Sequence, residues 1–118
     1  MTISLRAAKY LWDIERAADR IIRFAANRSF DEYLADEMFS AAVERQFEII
    51  GEALVRLRRS APEIAAQIPD IQQIIGFRNV LVHAYDDIDA TAVWGTIRND
   101  VPHLHAAVTE LLRDAPNE

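Results

Sequence analysis

Residues 74–85, Ile-Ile-Gly-Phe-Arg-Asn-Val-Leu-Val-His-Ala-Tyr, decide how this chain is read. Most of the run is apolar, as in a helix buried on most of its sides. Arg78, Asn79, His83 and Tyr85 interrupt it. Burying a guanidinium, an imidazole or a phenol is costly unless the group is paired or faces a cleft. An active site is the leading justification for placing them there.

Working outward, the third helix of the chain is expected from Asp70, as N-cap after Pro69, to His83. Ile71, Ile74, Ile75, Phe77, Leu81 and Val82 make it apolar nearly all round, which places it in the centre of a bundle or against a partner chain. Asp86-Asp87-Ile88-Asp89 reads as a turn, with Asp89 capping a fourth helix from Ala90 to Arg113. Trp94, Ile97, Val101, Leu104, Val108 and Leu111 form its stripe, and Pro102 is expected to kink or split it. Residues from Ala115 to Glu118 are expected to fray.

Upstream, Leu11, Ile14, Ala18, Ile21 and Ala25 recur at helical spacing, predicting a first helix from Ser4 to Asn27. Asn27-Arg28-Ser29 breaks it, and Phe30 to Asp36 reads as a short helical entry. The second helix is expected from Glu37 to Arg59, on a seam of Phe39, Val43, Phe47, Ile50, Leu54 and Leu57 close to a heptad. Arg56, Arg58 and Arg59 crowd its end. There they complement the helix dipole or, alternatively, form a phosphate-attracting rim. Pro62 and Pro69 bracket a turn or two at Glu63–Gln67. With few glycines and no strand-like alternation, the expectation is all-α: a single domain over residues 1–118, an antiparallel four-helix up-and-down bundle that self-associates through its third helix.

Composition narrows the function. The chain has 118 residues, 51% of them hydrophobic, enough for a core without staples. It has no cysteine, which excludes disulfides and thiolate metal sites and fits a cytoplasmic protein. The opening residues lack the pattern of a secretory signal, and no apolar run has the length of a membrane span. A net charge of −6 argues against broad phosphate neutralisation but leaves room for a local basic cleft. Of the 13 cations, Lys9 is the one lysine, and arginine suits bidentate contacts to phosphate.

An imidazole moves protons near neutrality, and a guanidinium matches a phosphate with a planar fork of donors. Together they could cleave RNA without a metal: His83 would take the 2′-hydroxyl proton, Arg78 would stabilise charge on the phosphorane, and Asn79 would orient either group. The product would be a 2′,3′-cyclic phosphate. Five residues along an ideal helix turn about 140° and rise about 7.5 Å, so Arg78 and His83 do not share a face. Either the helix loosens near His83 or two copies complete the site at a symmetric cleft. On spacing alone, a lone Arg and His on a helix are more often a salt-bridge partner and a C-terminal cap. Glu44, Glu48 and Glu52 are possible partners for Arg78.

Other residues read as structural. Asp86, Asp87 and Asp89 suit a cap with solvated neighbours better than a metal site. His103 and His105 diverge by roughly 200° on a helix and cannot chelate one ion. Trp12 and Trp94 read as core or interface aromatics rather than base-stacking platforms. No cofactor or metal is expected.

The blocks ERQFEIIGEA (44–53), GFRNVLVHAY (76–85) and ND-P-L (99–104), in this order, resemble the HepT-like HEPN toxins over nearly the whole chain. The resemblance implies a dimerising four-helix bundle with its Arg–four residues–His–one residue–Tyr motif in a cleft between protomers. It implies metal-independent RNA cleavage by Arg78 and His83, with Asn79 the polar residue that follows the Arg. It also implies a type VII toxin–antitoxin pair, in which an MntA-like minimal nucleotidyltransferase antitoxin adds AMP to Tyr85. The alternative is a non-catalytic helical module that docks and regulates a nucleotidyltransferase.

Overall fold

The structure, a computed structural model, describes the backbone of residues 3–83 and 89–115 and the side chains of residues 3–77 and 89–115. Among the described residues the regular structure is entirely helical: α1 (Leu5–Ala25), α2 (Phe30–Ala35), α3 (Glu37–Ser60), α4 (Pro62–Ala65), α5 (Ile71–His83), α6 (Ala90–Gly95), a π-helical turn (Thr96–Asp100) and α7 (Val101–Leu112). The expected all-α bundle is what forms. α1 packs along α3 on one flank and α7 on the other, and α5 packs on α3.

Side-chain caps set most helix starts. The Ser4 hydroxyl accepts from the Ala7 amide at 3.1 Å. The Asp36 carboxylate accepts from the Met38 and Phe39 amides at 3.0 and 3.1 Å, and the Asp89 carboxylate from the Thr91 amide at 3.0 Å. Each satisfies donors that a helix start leaves open. α2 begins with a capping box, in which the Glu32 amide donates to the Ser29 hydroxyl and the Ser29 amide donates back to the Glu32 carboxylate. The expected entry segment is thus a capped helix of its own.

Asp70 departs from expectation. Its carbonyl accepts the Ile74 amide at 3.1 Å, as an N-cap carbonyl does, but its φ is 59°, in the left-handed region. Such a φ is uncommon outside glycine, and aspartate tolerates it better than most residues.

All five residues of the first expected stripe and all six of the second are buried, forming one core with Val93, Ile97, Val101, Leu104 and Val108. Alanines 7, 8, 17 and 18 of α1 are fully buried, so α1 meets its neighbours through small side chains.

The expected fourth helix is split, and the split starts ahead of Pro102. The Val101 amide bonds to the Thr96 carbonyl, five residues back. Pro102 has no amide to donate, and its ring would crowd the carbonyl of residue 98 in a regular α-helix. The wider π turn absorbs the misfit and leaves the proline in the first turn of α7. Tyr85 and the expected turn at Asp86, Asp87 and Ile88 lie outside the described residues, as does most of the tail expected to fray.

Candidate active site

α5 carries Arg78, Asn79 and His83 in its last six residues, and its backbone is helical through His83. Of the two geometries open to the sequence, a helix that loosens near His83 concerns residues that reach beyond the described ones, and the described backbone up to His83 is regular. Along this helix the two positions stand about 140° apart in azimuth and about 7.5 Å apart in height.

Phe77, the residue before Arg78, packs edge-on against Phe47 of α3, ring centroids 4.9 Å apart. Ile74, four residues before Arg78, is buried. The candidate pair thus extends a helix that its preceding turn anchors to α3.

The Arg78 side chain lies outside the described residues, and the three acids offered as its partners each make a contact among the described ones. Glu48 pairs with Arg45 at 3.4 Å and Glu52 with Arg56 at 3.0 Å, both within α3. Glu44 accepts the phenol hydroxyl of buried Tyr33 at 3.3 Å. Burial raises the Glu44 carboxyl above the usual carboxylate range. Burial first, and the Glu44 charge second, push the Tyr33 phenol above its ordinary value.

A groove of about 490 Å³ runs between α5 and the segment from α6 through the π turn. Gln73, Gly76 and Phe77 line one wall, and Gly95, Asn99 and Asp100 line the other. A Cβ built on Gly76 or Gly95 would meet no atom of the described residues within 4 Å, so among these the groove is open at both glycines. Gly76 lies seven residues before His83 and so on the same helical register. Gln73 carries no signal in the sequence, and Asn99 and Asp100 stand out there only within the ND-P-L block. The π turn that presents them follows from Pro102, a signal that was visible.

Two further expectations gain detail. His105 sits on α7 with its Nε2 3.7 Å from Glu15 and 4.0 Å from Asp19, both on α1, while His103 is exposed. Trp94 belongs to an aromatic cluster with Phe30, Tyr33 and Phe39. Trp12 instead is half-buried at the edge of an outward-facing groove.

The fold and the polar end of α5 together define an all-helical HEPN-type bundle. The chain belongs to the HepT-like ribonuclease family, whose model matches residues 14–111. It is 30% identical over 105 residues to "Putative RNase MJ1216" of Methanocaldococcus jannaschii, covering 89% of this chain and 86% of that one. It is 32% identical over 99 residues to "Putative RNase MJ1380" of the same organism, covering 84% and 90%. It is 32% identical over 102 residues to "Probable ribonuclease HepT" of Thermococcus cleftensis, covering 86% and 92%. No solved structure matches. Among the described residues no helix is long and apolar enough to cross a membrane.

Proposed function

We propose that this chain is a metal-independent endoribonuclease and the toxin of a type VII toxin–antitoxin pair. The observation that carries the reading is a helix, unbroken through His83, that bears Arg78, Asn79 and His83 in a chain of the HepT-like ribonuclease family. His83 acts as the base that removes the 2′-hydroxyl proton. The 2′-oxygen attacks the adjacent phosphorus, the 5′-oxygen leaves and is protonated, and the products are a 2′,3′-cyclic phosphate and a 5′-hydroxyl. Arg78 holds the phosphoryl oxygens as charge builds on them, and Asn79 orients the pair.

The azimuth between Arg78 and His83 favours a site completed by two copies of the chain, in which groups from two α5 helices converge on one cleft. In this reading the groove beside α5 is part of the surface around that cleft. Tyr85, two residues beyond His83, is the off-switch. An MntA-like nucleotidyltransferase transfers AMP from ATP to its phenol oxygen with loss of pyrophosphate. Each AMP adds a phosphate charge and a base beside Arg78, so the arginine fork is occupied and the cleft is blocked.

Expression of the chain alone, beside His83→Ala, tests the toxin. Growth arrest with wild type only is expected, and equal growth of the two cultures contradicts it. Intact mass after co-expression with a neighbouring nucleotidyltransferase tests the switch. Additions in AMP steps that Tyr85→Phe abolishes are expected, and an unshifted wild-type mass contradicts it.

A further inference from the structure

A second and larger groove, of about 890 Å³, lies between α1 and α3. It opens on the side of α3 turned away from α5: Arg45 lines it, and Phe47, which packs on α5, points roughly 200° away around the helix. Arg6, Lys9 and Arg16 of α1 and Arg45 and Arg56 of α3 line it, five of the chain's 13 cations. Tyr10, Trp12 and Ile49 line it as well and are half-buried.

Among the described residues, three carboxylates share the groove. Asp13 pairs with Lys9 at 3.4 Å, Glu48 with Arg45 at 3.4 Å and Glu52 with Arg56 at 3.0 Å. The groove is still net positive on a chain whose net charge is −6. The three cations of these pairs are 57–70% exposed, and exposed pairs of this kind hold weakly, so a stronger anion can displace them.

We propose that the α1–α3 groove is a docking track for single-stranded RNA, an inference that rests on the ribonuclease reading for its choice of ligand. A polyanion approaching a net-negative protein needs a local basic track, and one arginine per α5 is a small one. Cations flanking aromatic rings are the arrangement by which proteins hold single strands: phosphates follow the cations while bases stack on the rings. The large rings here are Tyr10 and Trp12, which suit base stacking better than aliphatic side chains would. α3, about 10 Å across, lies between the track and the turn of α5 that leads into Arg78, so a strand held in the track lies on the same molecule's opposite face. Trp12, read from sequence as a core or interface residue, becomes a stacking wall, and Arg56 belongs to a phosphate-attracting surface.

The test is fluorescence anisotropy of a labelled single-stranded 12-nucleotide RNA on the full chain carrying His83→Ala, so that binding is read without cleavage. In this background Arg6→Gln/Arg45→Gln/Arg56→Gln is expected to weaken binding about tenfold or more. It should also reduce the slope of log affinity against log salt by about two, from three lost phosphate contacts at roughly 0.7 each. Trp12→Leu, which keeps an apolar side chain in place, is expected to weaken binding about fivefold or more. Arg113→Gln, an exposed cation outside the groove, should change neither quantity.

An unchanged affinity and slope in the triple variant overturns the proposal, as does an equal loss with Arg113→Gln. A triple variant that binds RNA normally but sediments at a different mass also overturns it, and assigns the groove to contact between protein chains. Failure of the catalytic reading looks different: wild-type protein that binds the RNA but never cuts it leaves the groove result standing.

Discussion

Two faces of the segment from α6 through the π turn are built on opposite terms. On one face α2 is clamped to α6. Phe30, Tyr33 and Phe39 meet Trp94 with centroids 5.7–6.3 Å apart within the cluster. Arg28 lies over the Phe39 ring at 4.2 Å and Arg98 over the Trp94 ring at 4.6 Å. Arg98 also donates to the Arg28 carbonyl, 70 residues away in sequence. Arg28 in turn pairs with Glu32 and Asp36, the residues that cap α2 and α3. On the opposite face, α5 and the π turn face each other across an open groove with a glycine on each wall. Aromatic and cationic contacts crowd the face where no chemistry is proposed, and space is kept beside the helix that carries the candidate catalytic groups.

The largest effect that sharpens this contrast is on activity. Arg78→Ala is expected to lower RNA cleavage about 100-fold or more while leaving the unfolding midpoint within a few degrees of wild type. A fall in midpoint that matches the loss of activity would return Arg78 to a structural role.

The clamp should behave in the opposite way. Trp94→Ala removes the ring shared by three aromatic neighbours and an arginine, and is expected to cost about 3 kcal/mol of unfolding free energy in urea titrations. If the cost is under about 1 kcal/mol, the two faces are not built differently.

Glycines in helix interiors cost about 0.5–1 kcal/mol relative to alanine, and neither Gly76 nor Gly95 is forced by a neighbour among the described residues. Gly76→Ala and Gly95→Ala are each expected to stabilise the protein by roughly that amount. A loss of cleavage in the stabilised variants would mean that the open space serves a ligand or a second copy. Destabilisation would mean that the groove is closed in solution.

The smallest effect is in acid. The Phe39 amide first, and the Arg28 side chain second, hold the Asp36 carboxyl below its ordinary value. A depressed acid contributes stability above its unfolded-state pKa and loses it as pH falls through the folded one. Asp36→Asn should therefore lower the unfolding midpoint near neutrality, and the gap to wild type should narrow as the pH falls below the usual carboxylate range. A gap that widens in acid contradicts this assignment.

Much of this fold was legible because hydrophobic spacing and caps agree. The stripes on α1 and α3 are buried residue for residue, and Asp89 caps α6 as its place after an acidic turn suggests. The capping box of α2 stands in the sequence as Ser29-Phe30-Asp31-Glu32, but a six-residue helix carries too little periodicity to mark it out. The π turn could be anticipated only as a disturbance near Pro102, since sequence does not say on which side of a proline a helix absorbs the misfit. The candidate residues of α5 stand out in the sequence because polar groups interrupt an apolar run. The α1–α3 groove does not, because its cations are scattered over residues 6–56 and each has an ordinary solvated reading.

The central claim is that α5 carries a metal-independent ribonuclease centre, and product chemistry tests it most directly. Purified chain is incubated with single-stranded RNA in excess EDTA, beside His83→Ala, and the product ends are read by mass spectrometry. The account predicts fragments ending in 2′,3′-cyclic phosphate and 5′-hydroxyl from wild type, at a rate that EDTA does not change, and none from His83→Ala. Cleavage that persists without His83, that EDTA abolishes, or that leaves 3′-hydroxyl ends would contradict it.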